Sequence, residues 1–222
     1  MAASFPETAI STDRLLLRAL DEDDVPSLVA MMADEQVQTW TAVPSPFTEA
    51  HARAWVTRLA PARRTEGRGI VFAVTEHLTQ RVVGVVQLRN TDWRLRSTEI
   101  EYVTAPWARG EGYAPEGVLG VAQWLFEDRG FQRLELRTAA GNTAAQQVAQ
   151  KIGCISEGVL RSAWIVRGED WSPAAGTAPE GALVDRAAGE QRSDLIVWSL
   201  LPEDLDTADG SDWAESRYVL HD

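Results

Sequence analysis

Residues Ala108 to Gly117 read ARGEGYAPEG. Two glycines stand two apart, an arginine precedes them and a proline follows. The stretch before them, STEIEYVT at 97–104, has the composition of a strand. The stretch after them, from Pro115 to Arg129, has helical periodicity, with Val118, Val121, Ala122 and Leu125 on one face and Gly130 as a stop. A loop that leaves a strand and opens a helix carries amides without intrahelical partners, here from about Gly110 to Ala114. Gly110 and Gly112 let the backbone approach a ligand with no Cβ in the way. Pro115 suits the first helical position, where no N–H is needed, and the helix dipole adds roughly half a positive charge. The chemistry of such a loop is anion binding, with pyrophosphate as a fitting guest, and Arg109 adds a direct charge. The plain alternative is a surface turn with two glycines. A dinucleotide fingerprint fits poorly, because a third glycine is needed about where Pro115 stands, and Glu135 is in mid-strand rather than at a strand end.

Three carboxylates could do proton chemistry. Glu99 and Glu101 alternate with Ile100 and so share one face of a strand. Glu135 lies in RLELRT, 133–138, which reads as the next strand. A carboxylate in mid-strand between apolar residues is unusual enough to suggest a role. Each is equally compatible with an ion pair to Arg96, Arg133 or Arg137.

The elements that must position these groups follow in order. Arg14 to Leu20 reads as a first strand, and 21–24 offers N-cap oxygens to a helix running to about Met32. A Pro-rich loop then leads to a helix from near Thr48, with Trp55 and Leu59 on one face. Ile70–Thr75 and Arg81–Gln87 form a hairpin around HLTQ. After 133–138, Asn142 caps a helix from about Thr143 to Ile152, ended by Gly153. Ile155–Val166 and Leu195–Leu200 are the last two strands. Between them, residues 168–193 are rich in Gly, Ala and Pro and read as a long insertion of the kind that is functional or disordered. The tail from 202 to 222 is acidic, with Trp213 and Tyr218 available to dock it. The order is mixed α/β, and the strand–helix–strand unit at 97–138 should set two parallel neighbours at the sheet centre.

Composition narrows the function classes. The 222 residues suit a single domain, 1–222, with a core at about 10–201. The net charge of -12 makes nucleic acid a poor candidate partner and suits a soluble protein or a cationic substrate. No apolar run is long enough to span a membrane. The N-terminus lacks the pattern of a secretory signal. A single cysteine, Cys154, fits a reducing cytoplasm and most simply packs in the core. Three scattered histidines give no metal-ligand spacing, so no metal is expected.

RGEGYA at 109–114 resembles the R/Q-x-x-G-x-G/A signature of the GNAT superfamily of acyl-CoA-dependent N-acyltransferases. TDRLLLRAL at 12–20, PFTEAHARAW at 46–55, EIEY at 99–102, Asn142 with Gly153 eleven residues on, SEGVLR at 156–161 and RSDLIVWSLL at 192–201 are similar to its ribosomal-protein-alanine/serine N-acetyltransferase branch. The resemblance covers about residues 10–201. It implies a mixed, mostly antiparallel sheet of about seven strands with two splayed parallel strands at its centre and about four flanking helices. In that geometry pantetheine pairs with the free edge of the first parallel strand at Tyr102, Val103 and Thr104. The amides of Arg109, Gly110, Glu111, Gly112, Tyr113 and Ala114 hold the pyrophosphate, and Asn142 reaches the pantetheine arm. The implied reaction moves an acyl group, acetyl foremost, from acyl-CoA to a primary amine, such as a protein or peptide N-terminus. A self-resistance enzyme for amine antibiotics, a succinyl-CoA user and a non-catalytic acyl-CoA-binding module are the alternatives. A homodimer is the expected assembly.

Direct amine attack needs a base and a donor to the carbonyl oxygen. It needs no nucleophile elbow, and none is present. Glu101, Glu135 and Glu99 compete for the base. Glu135 matches the base of one related branch, Glu99 lies near the position used by histone-type members, and Glu101 replaces a residue that is usually small. Many members carry a tyrosine acid where this chain has Ala149, and the branch often has a serine where it has Ala145. That leaves Tyr102, Tyr113 or water to protonate the thiolate. Trp164 and Trp171 flank the insertion and are candidates to line an acceptor pocket.

Overall fold

Apolar alternation and glycine stops sort the described residues of the computed structural model (3–167, 189–207 and 219–221) into nine strands and seven α-helices. The strands are β1 (Ala9–Ser11), β2 (Leu15–Arg18), β3 (Val71–Glu76), β4 (Val82–Asp92), β5 (Ser97–Thr104), β6 (Arg133–Ala139), β7 (Ile155–Arg167), β8 (Glu190–Leu200) and β9 (Val219–His221). The helices are α1 (Val25–Met32), α2 (Glu35–Trp40), α3 (Glu49–Ala54), α4 (Ala60–Thr65), α5 (Tyr113–Glu127), α6 (Thr143–Lys151) and α7 (Pro202–Thr207). The strand order is β7-β8-β6-β5-β4-β3-β2-β1-β9. Every neighbouring pair is antiparallel except β5 and β6, which α5 connects as a parallel crossover. This is the mixed, mostly antiparallel sheet expected, with the parallel pair at the expected residues.

The strand count exceeds about seven because β1 and β9 are three residues each, too short for a period of two to register. They pair with each other, Ala9 opposite His221, so part of the acidic tail is tied into the sheet. Trp213, Tyr218 and Trp171 lie outside the described residues, as does most of the predicted insertion. Its last four positions, 190–193, belong to β8, where Glu190 pairs with Arg167 and Ser193 with Trp164.

Three local corrections matter for the site. First, α2 occupies part of what reads as a Pro-rich loop. Asp34 initiates it by accepting from the amides of Gln36 (3.1 Å) and Val37 (3.2 Å). Second, β4 runs five residues past Gln87, which brings Arg89 and Asn90 alongside β5. Third, α3 and α4 are joined by a π-type turn at Trp55–Leu59. The wider turn rotates Leu59 out of the apolar face, to 51% exposure, while Trp55 stays half-buried.

α5 covers one face of the sheet. Val118, Val121, Ala122, Trp124 and Leu125 are all buried, and Gly117 lies against Leu15, Leu17 and Val74. α4 serves the other face, where Arg63 reaches Gln87. Among the described residues no helix is long and apolar enough to cross a membrane, and no cluster of three or more His, Cys, Asp or Glu is placed to hold a metal.

Candidate active site

The β5–β6 ladder stops early. Ser97 to Ile100 pair with Arg133 to Leu136, and pairing goes no further. Each strand then stays with its other neighbour, β5 with β4 as far as Thr104 opposite Gly84, and β6 with β8 as far as Ala139 opposite Leu195. Among the described residues, the inner edges of Glu101–Thr104 and Arg137–Ala139 have no strand partner. Unpaired backbone groups inside a sheet ask for a guest, and an amide-bearing chain supplies one in the manner of an added strand.

At the open end of this gap, Gly110 (φ +84) and Gly112 (φ +78) adopt the left-handed conformation that glycine takes without strain. A Cβ on Gly110 would meet nothing within 4 Å, so the loop presents bare backbone. Gly112 is the N-cap of α5 and no side chain caps the helix. Among the described residues no side chain claims the amides of the first turn, as an anion seat requires. Pro115 stands third in α5 rather than first, still within the turn where no intrahelical donor is lost. The loop is braced from β2's approach: Arg14 donates to the Glu111 carbonyl (2.9 Å) and to Glu116 (2.7 Å), and stacks 4.9 Å over the Tyr113 ring. Tyr113 donates its hydroxyl to Glu76, so it is committed to holding the loop. Asn142 caps α6, its Oδ1 accepting from the Ala145 amide at 3.1 Å.

At the closed end of the gap, all three carboxylates lie on the α4 face, joined by arginines. Glu99, 4% exposed, accepts from Arg89 Nη2 (2.6 Å) and Asn90 Nδ2 (2.8 Å). Its register partner Glu135 accepts from Arg137 Nε (2.7 Å) and Arg133 Nη2 (3.1 Å). Arg133 continues to Glu157 at 2.6 Å. Glu101 accepts from Arg89 Nη2 (2.9 Å) and Gln87 Nε2 (2.7 Å). Burial raises the Glu101 carboxyl above its ordinary value, Glu99 adds to this, and Arg89, Gln87 and Arg63 oppose it. Arg63 donates to Gln87 at 2.8 Å, and burial lowers its guanidinium. The row thus alternates in sign, four arginines with four glutamates. The expected ion pairs of Glu135 to Arg133 and Arg137 are present. Arg96 instead donates to the Arg129 carbonyl. Arg89, Gln87 and Asn90 escaped the sequence reading, and their signal was the polar interruption at 87 and 89 of an otherwise apolar strand.

α2 spans the mouth. Its cap Asp34 pairs with Arg109, its Trp40 ring lies against Gly141 in the β6–α6 loop, and Gln38 accepts from Arg167 of β7 at 2.9 Å. Burial works against the Asp34 carboxylate, yet Arg109 and the helix amides hold it below its ordinary value. Trp164 sits half-buried on β7, opposite Ser193.

A model of the acetyltransferase (GNAT) domain family matches residues 14–155. The chain belongs to the GNAT acetyltransferase family. It is accordingly an acyl-CoA-dependent N-acyltransferase. This acetyltransferase is 26% identical over 152 residues to the uncharacterized N-acetyltransferase YoaA of Bacillus subtilis, covering 68% of the chain and 85% of the relative. Its fold is similar to that of RimJ of Mycobacterium smegmatis, solved with CoA-disulfide, with a TM-score of 0.72 at 18% identity over 96% of the chain and 94% of that structure. It is also similar to ribosomal-protein-S5-alanine acetyltransferase of Vibrio fischeri, with a TM-score of 0.67 at 14% identity over 92% and 98%. The neighbours thus include the branch named from the sequence.

Proposed function

We propose that the acetyltransferase moves an acetyl group from acetyl-CoA to a primary amine by direct attack, with Glu101 as the base. One observation carries the assignment: of the three carboxylates on the α4 face, Glu101 alone stands beyond the last paired residue of β5, beside the gap. Glu99 is enclosed, and Glu135 stays within the paired segment, held by two arginines. Glu101 is half-buried, and burial raises its affinity for a proton. A carboxylate so poised takes a proton from an incoming ammonium near neutral pH better than an ordinary one.

Pantetheine pairs with the free edge at Tyr102, Val103 and Thr104, with Asn142 on the far lip. The pyrophosphate rests on the amides of Gly110 to Ala114, and Arg109 exchanges Asp34 for phosphate. The deprotonated nitrogen attacks the thioester carbon, and an unpaired β5 amide donates to the developing oxyanion. The acceptor class we favour is a protein or peptide α-amine, by analogy with the ribosomal-protein acetyltransferases of similar fold. Trp164 and α2 border the side from which it enters.

The test is thiol release from acetyl-CoA and a panel of longer and acidic acyl-CoAs, with peptide N-termini, polyamines and aminoglycosides as acceptors, beside calorimetric titration with coenzyme A. The reading requires coenzyme A binding and thiol release that depends on the amine. Absence of coenzyme A binding would refute it.

A further inference from the structure

The Tyr102 hydroxyl is a feature that the base and the anion seat leave unexplained. Its Oη is buried, and among the described residues it is the only buried hydroxyl that makes no hydrogen bond. Buried polar atoms are nearly always paired, and each exception calls for a reason. Tyr102 pairs through β4 with Val86, and its ring packs against the core. It stands two residues past Ile100, the last β5 residue paired with β6, so its own strand edge faces the gap. Alternation puts it on the opposite face from Glu101, towards α5 and α6. Two other hydroxyls near the gap already have partners. Tyr113 donates to Glu76, and Thr138 on the far lip receives the Trp198 indole N–H at 2.9 Å.

We propose that Tyr102 is the general acid of the acyl transfer, donating its phenolic proton to the coenzyme A sulfur as the carbon–sulfur bond breaks. The assignment rests on the proposed function. The amine lone pair forms the new C–N bond, and the C–S pair departs with sulfur. The Tyr102 proton turns that thiolate into a thiol. The phenolate recovers a proton from the attacking nitrogen, which must lose one to become an amide. The proton that Glu101 took from the ammonium is the one released to solvent. A phenol is a far stronger acid than an aliphatic alcohol and still carries its proton at neutral pH. Burial raises the phenol further, with Cys154 contributing, so the hydroxyl is protonated throughout the working range. Base and acid then lie on opposite faces of one strand, with the thioester between them.

Two measurements test this, and the first needs no turnover. The ultraviolet absorbance of the thiolate is followed against pH for coenzyme A bound to the wild-type protein. A donor aimed at sulfur stabilises the thiolate, so the bound thiol titrates about one unit or more below free coenzyme A. A bound thiol that titrates at or above the free value overturns the assignment, and it does so while leaving coenzyme A binding, and hence the proposed function, intact. The second compares Tyr102→Phe with wild type. The expected result is a fall in kcat of about tenfold to a thousandfold, an unchanged coenzyme A Kd, an unchanged or higher Tm, and loss of the thiol shift. A purely structural hydroxyl would lower Tm and leave the thiol titration alone, and that outcome, like retention of kcat, sinks the proposal.

Discussion

Glu101→Gln is the substitution that most directly interrogates the site. Glutamine is isosteric, and its Oε1 still accepts from Gln87 or Arg89, which now lie 2.7 and 2.9 Å from the carboxylate. What disappears is the capacity to take a proton. A positioned base contributes about 10² to 10⁴ in rate, or about 3–5.5 kcal/mol of barrier. The folding cost is smaller. One charge-assisted hydrogen bond becomes neutral, worth about 1 kcal/mol, and relief of the buried charge offsets part of it. The expected outcome is therefore a large loss of kcat, an acetyl-CoA KM near wild type, and a Tm within about 4 °C.

Glu99→Gln should behave oppositely. Two donors and the more distant Arg137 (3.9 Å) converge on an almost fully buried carboxylate. Neutralising it leaves Arg89 and Arg137 short of a counter-charge, a fault worth about 3 kcal/mol or more. Stability should fall more than rate. The pH dependence carries its own sign. The folded pKa of Glu101 lies above its unfolded value, so the folded state holds the proton longer. Its contribution is fully present below the unfolded pKa and is lost as pH rises through the folded one. The rising limb of kcat/KM should accordingly sit above the ordinary glutamate range, and Glu101→Gln should abolish it. Steady-state rates from pH 4 to 9 and thermal melts of Glu101→Gln, Glu99→Gln and Glu135→Gln decide the matter. A Glu101→Gln enzyme within about tenfold of wild type, with its rising limb intact, refutes the reasoning.

Other expectations follow from the same geometry. Gly112→Ala forces a Cβ into a left-handed conformation at φ +78 and should cost about 1–2 kcal/mol and raise the acetyl-CoA KM, both readable by melts and saturation kinetics. Asp24→Asn breaks a bidentate pair to Arg18, with both contacts at 2.8 Å around a carboxylate only 3% exposed. It should lower Tm by about 10 °C, from about 3 kcal/mol at roughly 3 °C per kcal/mol, with kcat unchanged. Arg133 and Ser199 hold the Glu157 carboxyl down at about 2. The stability it gives is fully present above its unfolded pKa and is lost as pH falls from there through the folded value of about 2. Acid-denaturation curves should lose this slope in Glu157→Gln and keep it in Glu49→Gln, whose partner Arg53 lies on the surface.

The sequence by itself determined more of the donor side than of the acceptor side. ARGEGYAPEG announced a strand-to-helix turn with bare amides because glycine and proline act locally, through φ and the missing N–H. The cap at Asn142 and the parallel pair at 97–104 and 133–138 were legible for the same reason, since their signals lie within a few residues of one another. The length of β4 was not, because Arg89 and Asn90 are strand residues only by virtue of the glutamate they face. α2 was equally hidden. It is six residues long, and its contacts to Arg109, Gly141 and Arg167 come from positions 75 to 129 residues away or from a loop packed against Trp40. Tertiary structure also sets the three carboxylates apart. All three look alike in sequence, and only the register that ends at Ile100 and Leu136 leaves Glu101 beside the gap while closing Glu99 and Glu135 into ion pairs. Where a ladder stops is a property of two strands and their neighbours, and no single segment encodes it.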